Sequence, residues 1–187
     1  LHQDFLELDW AAVVPHPTEL LVVGNIPYNI TAPIIFKLLE RPRPRDIVLM
    51  VQREVADRLA AEPDTGDYGA LTVGVRCIAS VEKVLRVPRT ALRPVPGVDT
   101  TVVRTTPFTP PPLSADEERS LRVLTRAAFT WRRKQVQKIL RDHEALRLSR
   151  DRLDDLTRET GWDLTRRPET LSPDDFVRLS GFITRTS

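Results

Sequence analysis

The chain has 187 residues, 41% of them apolar, with 28 basic and 26 acidic side chains and a net charge of +2. That is the composition of a globular protein with one good core or two small ones. The single Cys77 excludes a disulfide framework and a thiolate metal cluster, His2, His16 and His143 lack paired ligand spacing, and no apolar run reaches membrane-spanning length. No metal is therefore expected, and with no signal-peptide pattern the composition points to the cytoplasm.

In chain order, Leu1 to Leu6 reads as the end of a strand and a turn, and Trp10 to Glu19, with Pro15 and Pro17, as a connection. The apolar, β-branched run from Leu20 to Val23 then stops at Gly24, and Asn25, Ile26, Pro27 and Tyr28 follow. This predicts a buried parallel strand ending in a tight, rigid loop at its carboxyl edge, the place where open α/β sheets bind their ligands. These residue types suit methyl transfer to the exocyclic amine of a base, a poor nucleophile because its lone pair is delocalised into the ring. The Asn25 side-chain oxygen and a backbone carbonyl fixed by Pro27 are able to accept both amine hydrogens, and Tyr28 offers a flat face for an extruded base. An ordinary turn is the plain alternative for these four residues.

Thr31 is expected to cap a helix with Pro33 in its first turn and Ile34, Ile35, Leu38 and Leu39 on its apolar face. Arg41, Arg43 and Arg45 read as a solvated turn. Ile47 to Val51 is a second buried strand, Gln52 to Ala61 a helix, and Glu62 to Gly69 a polar loop. Leu71 to Ala79 and Val81 to Val87 read as strand-like, although the first half of the former fits a helix equally well. The loop Pro88 to Asp99 is stiffened by Pro88, Pro94 and Pro96 and carries Leu92. Thr101 to Thr105 is the last strand.

Residues 107–114, rich in proline, read as a linker between a portion covering residues 1–106 and a helical domain covering 115–187. Ser114 with Asp116 and Glu117 starts a helix on which Leu121, Leu124, Ala128, Trp131 and Gln135 share a face, and Val136, Ile139 and Leu140 continue it. Between Arg119 and Arg150 there are ten basic residues against two acidic ones, the electrostatic footprint of phosphate contact. Short helices follow, one capped at Leu171-Ser172-Pro173-Asp174.

The Asn25-Ile26-Pro27-Tyr28 corner, Gln52-Arg53-Glu54-Val55, Tyr68-Gly69, the Leu92 to Arg104 stretch and Phe129-Thr130-Trp131-Arg132-Arg133-Lys134 together resemble the ribosomal RNA adenine N6-dimethyltransferases, the KsgA-type enzymes and their Erm relatives. The resemblance spans residues 1 to about 145. It implies an α/β fold: a partial Rossmann-like methyltransferase sheet that uses S-adenosylmethionine, followed by a small all-α, basic RNA-binding domain. It further implies catalytic roles for Asn25, Pro27, Tyr28 and Leu92, cofactor contacts from Asp4, Phe5 and Asn25, and RNA contacts from Arg126, Arg132, Arg133, Lys134 and Lys138.

The match departs from the family at Gln3, where a glycine is usual, at Leu92, where a phenylalanine is usual, and at Trp131, where a glutamine is usual. The family's glycine-rich cofactor loop belongs upstream of residue 1, so the chain reads as part of a longer enzyme. The implied reaction is dimethylation of two adjacent adenosines near the 3′ end of small-subunit ribosomal RNA, by a monomer acting on a subunit precursor away from membranes. Erm-type methylation of large-subunit RNA and a non-catalytic RNA-binding assembly factor are the alternatives.

Overall fold

Alternation of fully buried Ile47, Leu49 and Val51 with half-buried Val48 and Met50 gives Asp46–Gln52 (β2), an inner strand of the sheet, one face wholly in the core. In this computed structural model, which describes residues 2–93, 95 and 97–185, Leu21–Asn25 (β1) runs parallel to β2 on one side. Thr100–Pro107 (β4) runs antiparallel on its other side, and Ala79–Val87 (β3) pairs antiparallel with β4, so the order is β1-β2-β4-β3. Leu1, Pro94 and Pro96, to which the sequence assigns a strand end and a stiff loop, lie outside the described residues.

The strand β1 is parallel, as its sequence predicts, but it is not buried: Leu21 is 48% and Val23 71% exposed. It is an outer strand of the described sheet, so Leu21, Val23 and Asn25 alternate outward along it. Gly24 allows a close approach at its end, since a Cβ there would sit 3.2 Å from Leu49 Cδ2.

Thr31–Leu38 (α1) buries Ile34, Ile35 and Leu38. The turn that follows is not simply solvated. Arg43 is only 9% exposed, and its Nε donates to the Leu39 carbonyl at 2.7 Å, satisfying an acceptor that the helix end leaves open. Arg53–Leu59 (α2) is shorter than the sequence suggests.

The stretch Ala70–Arg76 is a helix (α3), and Ala79–Val87 is one strand. Periodicity fails there because Thr72, Val73 and Val75 are all buried, which removes the polar face that marks a helix. The Thr72 hydroxyl accepts the Gly69 amide at 3.1 Å and fixes the helix start.

The chain forms two compact units. One holds residues up to Ala60 together with Ile78–Pro110, which is the sheet with α1 and α2. The other holds residues 61–77 and those from Pro111 onward, although 61–77 lie between two strands of the sheet in chain order.

Ala115–Thr130 (α4) begins with a reciprocal cap, Ser114 and Glu117 each bonding the other's backbone amide, and Pro173–Thr184 (α7) begins likewise with Ser172 and Asp175. Between them lie Val136–Asp142 (α5) and Arg150–Thr160 (α6), the latter ended by Gly161 in the left-handed region, while Trp162 to Leu164 forms no helix. Because α4 stops at Thr130, Trp131 is half-buried and Gln135 exposed rather than continuing its apolar face.

The core of this unit stacks Phe129 on fully buried Phe176 (5.9 Å) and sets Tyr68 edge-on to Phe129 (6.1 Å). The Tyr68 hydroxyl donates to the Leu171 carbonyl at 2.7 Å, and burial pushes its ionisation well above the usual range, so it stays a donor. Cys77 is a core residue as expected; burial pushes its thiol up to about 12, and Sγ lies 3.3 Å from the Pro173 carbonyl.

In the sheet unit, buried Asp46 accepts from Arg104 Nε at 2.9 Å and from the Thr106 hydroxyl at 2.6 Å, bonds that hold its carboxyl down at about 2. A carboxyl held below its unfolded value of 3.8 stabilises the fold above that pH, and the contribution is lost as pH falls toward 2. Thermal unfolding is therefore expected to show Asp46→Asn less stable by about 1–2 kcal/mol at neutral pH, with the gap closing between about pH 4 and 2.

Candidate functional site

The strand β1 delivers Asn25, its last residue, to the carboxyl edge of the sheet beside Met50 of β2. The Asn25 carboxamide is exposed and makes no hydrogen bond among the described residues. Pro27 then leads into a single turn of 3₁₀ helix, Tyr28–Ile30. Thr31 does not cap α1. Its hydroxyl points back to the carbonyls of Pro27 (3.3 Å) and Tyr28 (3.2 Å), and the Ile30 amide also donates to Pro27 (3.3 Å). These bonds lock the corner and, among the described residues, leave the Ile26 carbonyl without a donor.

Tyr28 is half-buried, with its hydroxyl 3.2 Å from Thr100 Oγ1. Thr100 is fully buried, opens β4 and pairs with Gln52 at the end of β2, so the phenol is pinned to the sheet itself. Its neighbour Asp99 organises the loop before it. The Asp99 carboxylate accepts the Arg89 amide at 3.2 Å and the Arg86 guanidinium at 3.2 Å, and its carbonyl accepts the Arg53 amide at 3.0 Å. The Arg89 amide first, then Arg86, hold this carboxyl below the ordinary range. Leu92 is half-buried and extended, just beyond the Arg89–Ala91 turn that Asp99 holds. Reasoning from sequence missed Asp99 and Thr100. Their position where the Pro/Gly loop enters a strand was the available signal.

Asp4 is exposed and closes a turn, its Oδ1 accepting the Leu6 amide at 2.9 Å, and Phe5 beside it is half-buried. An open carboxylate oxygen, an accessible ring and the Asn25 amide are the groups an adenosine-bearing cofactor needs: an acceptor for its amine and apolar and amide surface for the rest. By chemistry alone, each of these side chains is able to meet part of S-adenosylmethionine.

Within the helical unit, Thr130, Trp131, Arg132, Arg133, Lys134 and Lys138 line a shallow depression of about 270 Å³. Four of the five basic residues singled out from sequence meet there, whereas Arg126 is exposed elsewhere on α4. Arg132 differs from its neighbours. Its Nε bonds Glu169 at 2.6 Å, and its other nitrogens reach the carbonyls of Thr65 (3.2 Å) and Gly66 (3.4 Å), so it fastens the 62–69 loop within this unit. The Trp131 ring meets His143 edge-on at 5.3 Å.

The chain resembles known proteins over nearly its whole length. It is 39% identical, over 96% of its residues, to the ribosomal RNA small subunit methyltransferase A of Geobacillus thermodenitrificans (strain NG80-2), of which it covers 64%. The protein of that name from Bacillus cereus (strain B4264) is 40% identical over 87% of the chain, which covers 56% of it. The chain therefore spans about three fifths of the length of these relatives.

Among solved structures, a dimethyladenosine transferase from Plasmodium falciparum superposes with a TM-score of 0.70 and 27% identity, over 85% of this chain and 64% of that one. The 23S rRNA methyltransferase ErmE superposes with a TM-score of 0.66 and 27% identity, over 98% and 70%. Residues 1–182 match the profile of the ribosomal RNA adenine dimethylases, and the chain belongs to that family.

Proposed function

We propose that the protein transfers methyl groups from S-adenosylmethionine to N6 of two adjacent adenosines near the 3′ end of small-subunit ribosomal RNA, during subunit assembly in the cytoplasm. The observation that carries this reading is the exposed Asn25 carboxamide on a corner locked by Thr31 and Thr100. In this reading the Asn25 Oδ1 and the Ile26 carbonyl accept the two N6 hydrogens, which draws the lone pair out of conjugation and aims it. Tyr28 stacks on the extruded base and Leu92 presses on its other face, more weakly than an aromatic ring would. The catalysis is positional: the methylated N6 sheds one of its hydrogens as a proton to solvent, so no general base is needed.

Asp4 would receive the adenine amine of the cofactor, with Phe5 and Asn25 beside it. S-adenosylmethionine supplies an electrophilic methyl when bound. The sheet unit is the catalytic portion in this reading, and the helical unit, through Arg133, Lys134, Lys138 and the more distant Arg126, faces RNA. No helix among the described residues is long and apolar enough to cross a membrane. We take the enzyme to act as a monomer.

The superposition on ErmE over 98% of the chain favours a second reading, methylation of large-subunit RNA. The test is to give the full-length protein labelled S-adenosylmethionine with precursor small subunits or with naked large-subunit RNA. Dimethyladenosine in the former is expected. Label only in the latter supports the Erm-type reading, and salt-sensitive RNA binding without transfer supports a non-catalytic assembly factor.

A further inference from the structure

The depression at the end of α4 combines an aromatic ring with cations that form no salt bridge among the described residues, Lys138 alone feeling a nearby acid, Asp142. Arg132 is engaged by Glu169, but exposed Arg133, Lys134 and Lys138 pair with no acid among the described residues. The acid nearest in sequence to Lys138, Asp142, is bonded by Arg141 at 2.6 and 3.1 Å. The Trp131 backbone is fixed, its amide donating to the Ala127 carbonyl and its carbonyl accepting the Lys134 amide at 2.7 Å, and His143 meets its ring edge-on.

We propose that this depression seats one unpaired RNA nucleotide, its base stacked on the Trp131 indole and its phosphate held by Lys134 and Lys138, with Arg133 at the rim. The proposal rests on the reading above that the helical unit faces ribosomal RNA. A volume of about 270 Å³ lies just below the usual range for small-molecule pockets, room for a base on an open surface but not for a duplex. A base inside a helix has both faces covered by its neighbours, so an indole platform selects nucleotides that are bulged, looped or terminal. Lys134 and Lys138, neither bridged to an acid among the described residues, supply the counter-charge for the adjoining phosphate.

The test uses the full-length protein and two RNA hairpins of equal length, one with an unpaired internal loop and one fully paired in that region. Trp131→Leu is expected to weaken binding of the looped RNA about tenfold and to change the paired RNA by less than about twofold. Trp131→Phe, which keeps a π face, should restore affinity for the looped RNA to within about threefold of the original and so separates stacking from folding. Lys134→Gln and Lys138→Gln should each lower the slope of log affinity against log salt by about one on either RNA.

Equal losses on both hairpins, or none, overturn the proposal and leave Trp131 as a packing residue. Displacement of the looped RNA by an acidic peptide with the same dependence on Trp131 overturns it in favour of a protein partner. An original protein that binds neither RNA overturns the functional reading as well, whereas RNA binding blind to Trp131 overturns this inference alone.

Discussion

Replacing Asn25 with alanine in the full-length protein is expected to lower methyl transfer by a hundredfold or more, about 2.7 kcal/mol of barrier, while RNA affinity stays within about threefold. The size follows from the geometry. The Asn25 carboxamide is exposed and makes no hydrogen bond among the described residues, so alanine removes an acceptor without leaving a buried group unsatisfied. The loss should fall on turnover, because an acceptor that draws the amine lone pair out of conjugation acts chiefly on the transition state. Single-turnover transfer measured beside equilibrium RNA binding separates the two quantities. Turnover within tenfold of the original would sink the role given to Asn25.

The second large effect concerns stability. Phe176→Ala is expected to cost about 3–5 kcal/mol, as for other buried aromatic truncations. Phe176 is fully buried and stacks on Phe129, which in turn holds the edge of Tyr68, so the cavity opens at the centre of the helical unit. Set against a typical total of about 5–15 kcal/mol, such a loss brings the fold close to its limit. Phe108→Ala is the control. At 40% exposure it should cost less than about 1 kcal/mol, and denaturant midpoints of the two variants measured side by side decide the matter.

Features governed by near neighbours were legible in the sequence. The strand at Leu21, the inner strand with its buried Ile47, Leu49 and Val51, and the caps at Ser114 and Ser172 all follow from short-range patterns. The chemistry of Asn25-Ile26-Pro27-Tyr28 was suggested by residue type alone. What stayed hidden depends on distant partners. Arg132 looked like one more cation of a basic run until Glu169, 37 positions away, and the Thr65 and Gly66 carbonyls were placed around it. Thr100 supports a tyrosine 72 residues earlier in the chain, a relation that no local pattern encodes. Leu21 and Val23 are exposed although their run reads as a buried strand, since hydrophobicity reports what a strand is able to bury and not whether anything covers it. The resemblance read from motifs ended near residue 145, whereas the family profile continues to 182, because the last helices hold packing residues without distinctive chemistry.

The detour of residues 61–77 bears on how such proteins exchange parts. The polypeptide enters the helical unit at Ala61, leaves it after Cys77 and re-enters at Pro111, so neither unit is a single continuous segment. A chimera spliced at the proline-rich stretch would set this chain's own Tyr68 and α3 against foreign counterparts of Phe129, Leu171 and Phe176. Exchanging the helical unit between homologues thus takes three junctions, after Ala60, Cys77 and Pro110, so that residues 61–77 travel with the tail.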